Sequence, residues 1–435
     1  MHTRAQSGSW RAGEGAHPAA THIAVAQRGE RLRLVVVLSR HGVRSPTWTD
    51  DRLNAYSVQP WPQWSVPPGD LTDHGFHLLE LFGAYDRTEL ARKGLFPAHG
   101  CADARYAYVW ADTDERTLES GRALAQGLFP GCAPEVHSLA AGVSDPLFHV
   151  PATSVAPPQV EAAALAQTQQ RLRALIGSDS GWASGAPTGA LLRELQRVLL
   201  GCAPQEAVCS PQLRPKSALL GAPISVTAGK GERPVEVQGP LAQASTLSED
   251  LLLEYADAMP GTQVGWGKVD EPELRRLLEL HSVYFDLVHR TSALARLEAS
   301  PMLKRILRTL QQGVDGQPVE GALGPADARL VLIAGHDTNL AGVASLLGVH
   351  WQLDGRSDDT PPGTELRFEL WQQRDGGYRV QVGVAMQTLP QMRAATPLTP
   401  SAPPAAETLK LACGTATAGC AWVDFRTLTE RAMQP

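Results

Sequence analysis

The sequence predicts an α/β protein: a mostly parallel central sheet with helices on both faces, plus an inserted α-helical domain. Three observations carry this reading. Short apolar runs at Leu32–Leu38, Tyr106–Trp110 and Leu330–Ala334 each stop at a cluster of polar residues and are followed by helix-like sequence, the pattern of parallel strands buried on both faces. Residues 161–200 and 241–300 carry helical periodicity, separated by Gly- and Pro-containing loops near 201–240. Beyond the third run, Glu365–Trp371 alternates Leu366, Phe368 and Leu370 with polar residues, Asp375-Gly376-Gly377 supplies a turn, and Val380, Val382 and Val384 alternate again, which predicts an antiparallel hairpin on the sheet.

The elements in order divide the chain into a flexible leader (1–30), an α/β domain built from 31–150 and 291–435, and a helical domain over 151–290. The leader is polar, without the apolar stretch of an export signal, so a cleaved or replaced signal is expected. The helix after Asp337 has Thr338 or Asn339 as candidate caps. In the segment from Pro272, residues Leu274, Leu277, Leu278, His281, Phe285 and Val288 share one helical face, so His281 points inward.

Composition narrows the partners. At 435 residues and 43% hydrophobic, the chain can bury a large core, and no apolar run approaches membrane-spanning length. The balance of 39 Lys and Arg against 45 Asp and Glu gives 39 − 45 = −6, which argues against nucleic acid. An anionic ligand must therefore be held by local charge. Six cysteines form three sequence-local pairs, Cys101 with Cys132, Cys202 with Cys209 and Cys413 with Cys420, among fifteen possible connectivities. Disulfides in an oxidising compartment are the expectation, with buried reduced thiols as the alternative.

The chemistry concentrates where the apolar runs end. In Arg40-His41-Gly42-Val43-Arg44-Ser45-Pro46-Thr47 two guanidinium forks flank one imidazole on a short loop, Gly42 allows a tight turn beside it, and Pro46 stiffens the exit. Such forks match tetrahedral oxyanions, so the loop reads as a phosphate cradle around a nucleophilic histidine. The arginines would lower the pKa of His41 and keep a ring nitrogen free to attack phosphorus. Gly335-His336-Asp337 offers a donor to a phosphoryl oxygen and a carboxyl that can protonate a leaving alkoxide if kept neutral; a plain helix cap is the alternative for Asp337. Arg116, in Asp112-Thr113-Asp114-Glu115-Arg116-Thr117, could close the clamp from another side, or pair at the surface with Glu115 or Glu119. His74 and His77 have no supporting constellation and are expected to be structural. There is no G-x-S-x-G elbow, H-E-x-x-H or G-x-G-x-x-G after a strand. Carboxylates near the clamp look too few for two hard cations, so no metal and no cofactor are expected.

The strand plus SRHGVRSPT, the DTDERT segment and GHDTNL, in that order, resemble the histidine acid phosphatases, above all the bacterial periplasmic phytases and glucose-1-phosphatases. PGCAPEVH, SDPLF, the residues around Leu247, VGWG, DDTPPGTEL and QTLPQMR extend the resemblance from about Leu32 to the C-terminus. It implies a six-stranded α/β domain beside a helical one, and a covalent phosphohistidine. It further implies His41 as nucleophile, Arg40, Arg44, Arg116 and His336 as the phosphate clamp, and Asp337 as proton donor. Thr47 would lie at the pocket mouth, and Ser245, Glu249 and His281 would line the substrate pocket. The three cysteine pairs fall where relatives place local disulfides, while one longer-range bridge of some relatives has no cysteines here. Where some phytate-hydrolysing relatives carry a lysine after the threonine of the loop, this chain has Trp48.

The function so implied is an acid phosphomonoesterase for phytate or related small sugar and inositol phosphates, exported to the periplasm or secreted, and monomeric. A glucose-1-phosphatase or broad-specificity acid phosphatase is the alternative within the family. Outside it stand a phosphotransferring mutase and a non-catalytic receptor for phosphorylated ligands.

Overall fold

The computed structural model describes residues 29–150, 158–176, 187–201, 219–220, 224–229 and 234–434. Cys202, Cys209 and most of the expected leader lie outside the described residues. The chain runs β1 (Arg31–Arg40), α1 (Asp50–Leu53), α2 (Asp73–Arg92), β2 (Ala107–Ala111), α3 (Glu115–Leu128) and β3 (Val136–His137). Then come α4 (Pro158–Ile176), α5 (Pro187–Leu200), β4 (Ser225–Ala228), β5 (Val235–Gln238), α6 (Pro240–Ala256), α7 (Glu271–Val288) and α8 (Ser292–Asp315). It closes with β6 (Leu330–Gly335), α9 (Asp337–Leu347), β7 (Gln352–Leu353), β8 (Arg356–Ser357), β9 (Glu365–Gln372), β10 (Tyr378–Met386), α10 (Leu389–Ala394), β11 (Ala405–Leu409), β12 (Cys420–Ala421) and α11 (Trp422–Ala432).

The main sheet is eight-stranded in the order β11-β10-β9-β1-β6-β2-β3, with β12 also on β10. Its parallel part is β1, β6, β2 and β3, and the antiparallel part is the β9–β10 hairpin with β11 and β12. Six strands are substantial, as the resemblance implied. The two extra ones, β3 and β12, are two residues each, too short to leave a periodic trace in sequence.

Both faces of the sheet are covered, which is why its strands read as continuous apolar runs. Leu34, Val36 and Leu38 of β1 pack with α8, α9 and α11, while Val35 and Val37 turn to α2 and α3. A third core, joining α4 to α7 with the β4–β5 hairpin, holds Leu192, Leu247, Leu251 and Leu277. The predicted inward face of α7 is buried, His281 included. Two disulfides lie within the described residues, Cys101–Cys132 and Cys413–Cys420.

The register of the parallel strands sets the site. Arg40 pairs with Gly335, and Ala111 with Ala334, so β1, β6 and β2 end at one level with β6 in the middle. In open sheets such a level is where polar loops meet a ligand. His41 N–H donates to Gly335 O at 2.8 Å and Asp112 N–H to Ala334 O at 3.1 Å, carrying the alignment past the strand ends.

Candidate active site

The loop after β1 is pinned from three sides. The His41 carbonyl accepts from Gly363 N–H at 2.9 Å, and Arg40 N–H donates to Thr364 O at 2.8 Å. Gly42 N–H donates to Ser120 Oγ of α3 at 2.9 Å. The reason for Gly42 differs from the expected tight turn. It has no positive φ; a Cβ there would sit 2.8 Å from Leu79 Cδ1 and 3.0 Å from Gly75 O, so glycine lets α2 approach the loop. Gly75 answers it from α2, where a Cβ would meet Val43 O at 2.2 Å.

His41 is 3% exposed, and its Nδ1 lies 2.8 Å from Gly42 O. A carbonyl only accepts, so Nδ1 carries the proton and Nε2 keeps its lone pair. Burial foremost, then Arg116, Arg40 and Arg44, hold the His41 pKa well below its ordinary value. The ring meets that of His336 edge-on, with centroids 5.8 Å apart.

Arg40 is 1% exposed and faces carboxylates rather than open space. Its Nη2 contacts Glu249 Oε1 and lies 2.8 Å from Asp337 Oδ2, while Nη1 donates to Thr360 O at 2.5 Å. Glu249 also takes Arg44 Nη2 at 3.2 Å. Burial opposes ionisation of Glu249, but Arg40 and then Arg44 outweigh it and lower its pKa. For Asp337, too, burial works toward the neutral acid, and Arg40 foremost, with His281, His336 and Arg44, holds the carboxyl far below its usual range. These surroundings favour the carboxylate form of Asp337, whereas the proton-donor role needs the neutral acid.

Neither Thr338 nor Asn339 holds the N-cap position of α9, but the Asn339 side chain closes a capping box from the third position. The helix begins at Asp337 with His336 in the cap position, and His336 N–H donates to Asn339 Oδ1 at 2.9 Å. His336 Nε2 lies 2.6 Å from Asp112 Oδ2, which sits equally 2.6 Å from His149 Nε2. The buried carboxylate thus bridges two imidazoles. Arg116, in the first turn of α3, pairs with Asp114 instead of Glu115 or Glu119, which serve Leu71 N–H and Arg122.

A cavity of about 690 Å³ joins these groups to the helical region. Arg44, Arg116, His336 and Asp337 line it from the strand ends; Ser245 and Glu249 line it from α6 and His281 from α7. Ser245 Oγ meets His281 Nδ1 at 3.0 Å, and the buried Nε2 of His281 has no hydrogen-bond partner among the described residues. Arg40, His41 and Thr47 do not line the cavity; Thr47 is exposed, and its neighbour Trp48 lines the wall together with Arg52. His74 donates to, or is capped by, no group of this cluster; its Nε2 lies 2.8 Å from Met392 O.

Sequence reasoning passed over Asp112, His149, Ser120 and Arg52. Asp112 stands in the cluster already singled out, at the carboxyl end of β2. The other three carry no signature of their own.

Carboxylates are more numerous here than expected. Asp112, Asp114, His149 and His336 form one group whose ligand atoms lie within 4.8 Å of one another, and Glu249, His281 and Asp337 form a second. Their carboxylates are committed to Arg40, Arg44, Arg116 and the two imidazoles, which a cation would have to displace.

Residues 31–172 and 243–384 match the histidine phosphatase superfamily (branch 2). The chain is 36% identical to phytase AppA of Escherichia coli (strain K12) over 91% of this chain and 90% of that protein. It is 28% identical to a glucose-1-phosphatase of Salmonella typhimurium (strain LT2), covering 88% and 87%. Among solved structures, Hafnia alvei phytase in complex with tartrate superposes with a TM-score of 0.79 at 33% identity, over 94% of this chain and 99% of that one. The phytase from Citrobacter braakii gives 0.76 at 34% identity, over 93% and 98%.

Proposed function

We propose that this chain, which belongs to the histidine phosphatase superfamily (branch 2), hydrolyses phytate and related small sugar or inositol phosphates through a phosphohistidine on His41. It is a phosphoric monoester hydrolase. The observation that carries the residue assignment is the tautomer of His41. With Nδ1–H spent on Gly42 O, the unprotonated Nε2 is the nucleophile.

In the first step Nε2 attacks phosphorus and the ester P–O bond breaks. Arg44, Arg116 and His336 border the cavity where the transferred oxygens would lie, and the two guanidiniums offset their charge. Arg40 acts behind them, holding Glu249 and Asp337 in place. Because Asp337 starts as a carboxylate, its proton arrives with the substrate: a monoanionic phosphate ester carries one. The entering anion also offsets the cations that depress the carboxyl. Asp337 passes that proton to the leaving oxygen. In the second step water attacks the phosphohistidine, Asp337 accepts its proton, and the P–N bond breaks, returning the lone pair to Nε2; the proton then leaves Asp337 with orthophosphate as H2PO4−, which restores the starting carboxylate.

The domain assignment follows the same division of labour: 31–150 and 291–435 for transfer, 151–290 for the substrate wall, with Ser245, Glu249 and His281 on that wall. The two described disulfides support a periplasmic or secreted location, and among the described residues no helix is long and apolar enough to cross a membrane. We read the protein as a monomer acting on a small phosphate ester. Glucose 1-phosphate is the second substrate to try, given the relative named for it.

The test is turnover of p-nitrophenyl phosphate at about pH 5, where the substrate monoanion is present. Wild type should release phosphate, and His41→Ala should fall to background, at least about 10⁴-fold lower. Persisting activity in His41→Ala would sink the nucleophile assignment. A kcat/KM panel over phytate, glucose 1-phosphate and nitrophenyl phosphate then ranks the substrates.

A further inference from the structure

Among the described residues three arginines line the cavity: Arg44, Arg116 and Arg52. Two of them are compensated, Arg44 by Glu249 and Arg116 by Asp114. Arg52 makes no ion pair and no side-chain hydrogen bond among the described residues; its guanidinium instead lies 3.6 Å from the ring centroid of Trp48, one helical turn earlier. Trp48 is itself held by Tyr56, ring centroids 5.8 Å apart, and packs on the helical core. Stacking fixes the guanidinium plane at low entropic cost and leaves its N–H edge free to donate.

Among the described residues no carboxylate on that cavity wall pairs with it, Asp337 being held by Arg40. Glu249 serves Arg40 and Arg44, Glu298 lies 2.8 Å from His289 Nδ1, and Glu236 takes Gln238 Nε2 at 3.0 Å. A cavity of about 690 Å³ is many times larger than one phosphate group needs, so a substrate filling it brings further substituents against the wall that Arg52 and Trp48 form.

We propose that Arg52, oriented by Trp48, is a second anion subsite that binds a phosphate group of the substrate other than the one transferred. The subsite gives the enzyme its preference for polyphosphorylated polyols over single phosphate esters. This inference rests on the phosphatase reading above.

The test compares Arg52→Gln, Arg52→Lys and Trp48→Leu with wild type on phytate and on p-nitrophenyl phosphate, and measures binding of myo-inositol hexasulfate by calorimetry. For Arg52→Gln we expect the ratio of kcat/KM on phytate to that on nitrophenyl phosphate to fall about tenfold, mostly through KM, with a similar weakening of the hexasulfate Kd. Arg52→Lys should recover part of the loss, and Trp48→Leu should show a smaller fall of the same kind. Added salt should narrow the gap between wild type and Arg52→Gln, because the subsite is open to solvent. A ratio that stays within twofold of wild type, or a hexasulfate Kd that does not change, overturns the subsite. Failure of the wild type to release phosphate would overturn the catalytic reading instead, and the calorimetry still decides the subsite.

Discussion

Glu249 and Asp250 are neighbours on α6, yet they stand in two electrostatically opposite regions. At the strand ends the charges are matched: Glu249 and Asp337 hold Arg40, Glu249 also holds Arg44, and Asp112 sits between two imidazoles. The next residue of α6, Asp250, has no hydrogen-bond partner on either oxygen among the described residues, and burial pushes its carboxyl up to about 8. Glu254, one turn on, is likewise raised to about 8 by burial, with only one oxygen served, by Gly265 N–H at 2.9 Å. The same functional group is therefore ionised on one face of the helix and neutral on the other at mildly acidic pH. The difference shows where burial is compensated by fixed opposite charge, as a site preorganised for an anion requires, and where it is met by protonation.

Removing Arg40 should break this comparison most severely. Arg40→Met leaves Glu249 and Asp337 buried without their main counter-charge, so activity should fall to background and the stability loss should be about 3–5 kcal/mol, read from the urea midpoint. A variant with wild-type stability would mean that the two carboxylates are not held by Arg40.

Asp337→Asn tests the matched region without emptying it, since the amide keeps the shape and cannot shuttle a proton. On phytate, whose alkoxide leaving group needs protonation, kcat should fall about 10²–10⁴-fold. On p-nitrophenyl phosphate, whose phenolate leaves unaided, the loss should be at least tenfold smaller, confined mainly to the hydrolysis step. Equal losses on both esters would remove Asp337 from the proton-transfer role.

The part of this contrast that was legible in sequence is the part written in local pattern. Runs such as Leu34–Leu38 and Leu330–Ala334 announce buried parallel strands because both of their faces are covered, and the turn at Asp375-Gly376-Gly377 announces the hairpin. Arg40, His41, Arg116, His336 and Asp337 could be named because each stands at or shortly after a strand end, and strand ends share a level. The pairing of Arg40 with Glu249, separated by 209 residues, could not, since it depends on how α6 lies against the sheet. The bridge from His336 through Asp112 to His149 was hidden for the same reason: His149 sits in a loop with no periodicity or motif. The protonated state of Asp250 is a property of its surroundings, and nothing in the order Ser248-Glu249-Asp250 distinguishes it from Glu249.

The unmatched acids set the most specific expectation. An unfolded chain releases the Asp250 and Glu254 protons near pH 4, whereas the folded one keeps them to about pH 8. Between those limits the native state binds more protons, so these residues make stability fall as pH rises, with the full contribution present only on the acid side. His41 and His336, lowered by burial, act in the opposite sense below their unfolded value, because the unfolded chain takes up protons there that the native rings resist. The two contributions separate in a difference experiment. Urea midpoints of wild type and of Asp250→Asn/Glu254→Gln, taken from pH 5 to pH 8, should diverge toward alkaline pH in favour of the variant by more than ~3 kcal/mol, because the amides have no proton to lose. The charged groups around Asp250 are Arg44, which opposes its protonation, Glu249, which favours it, and Glu254, whose own carboxyl it helps to raise, so Glu249→Gln alone should narrow the divergence by lowering the Asp250 pKa. Parallel pH profiles in all three proteins would show that Asp250 and Glu254 are ionised in the fold, and that α6 carries no such asymmetry.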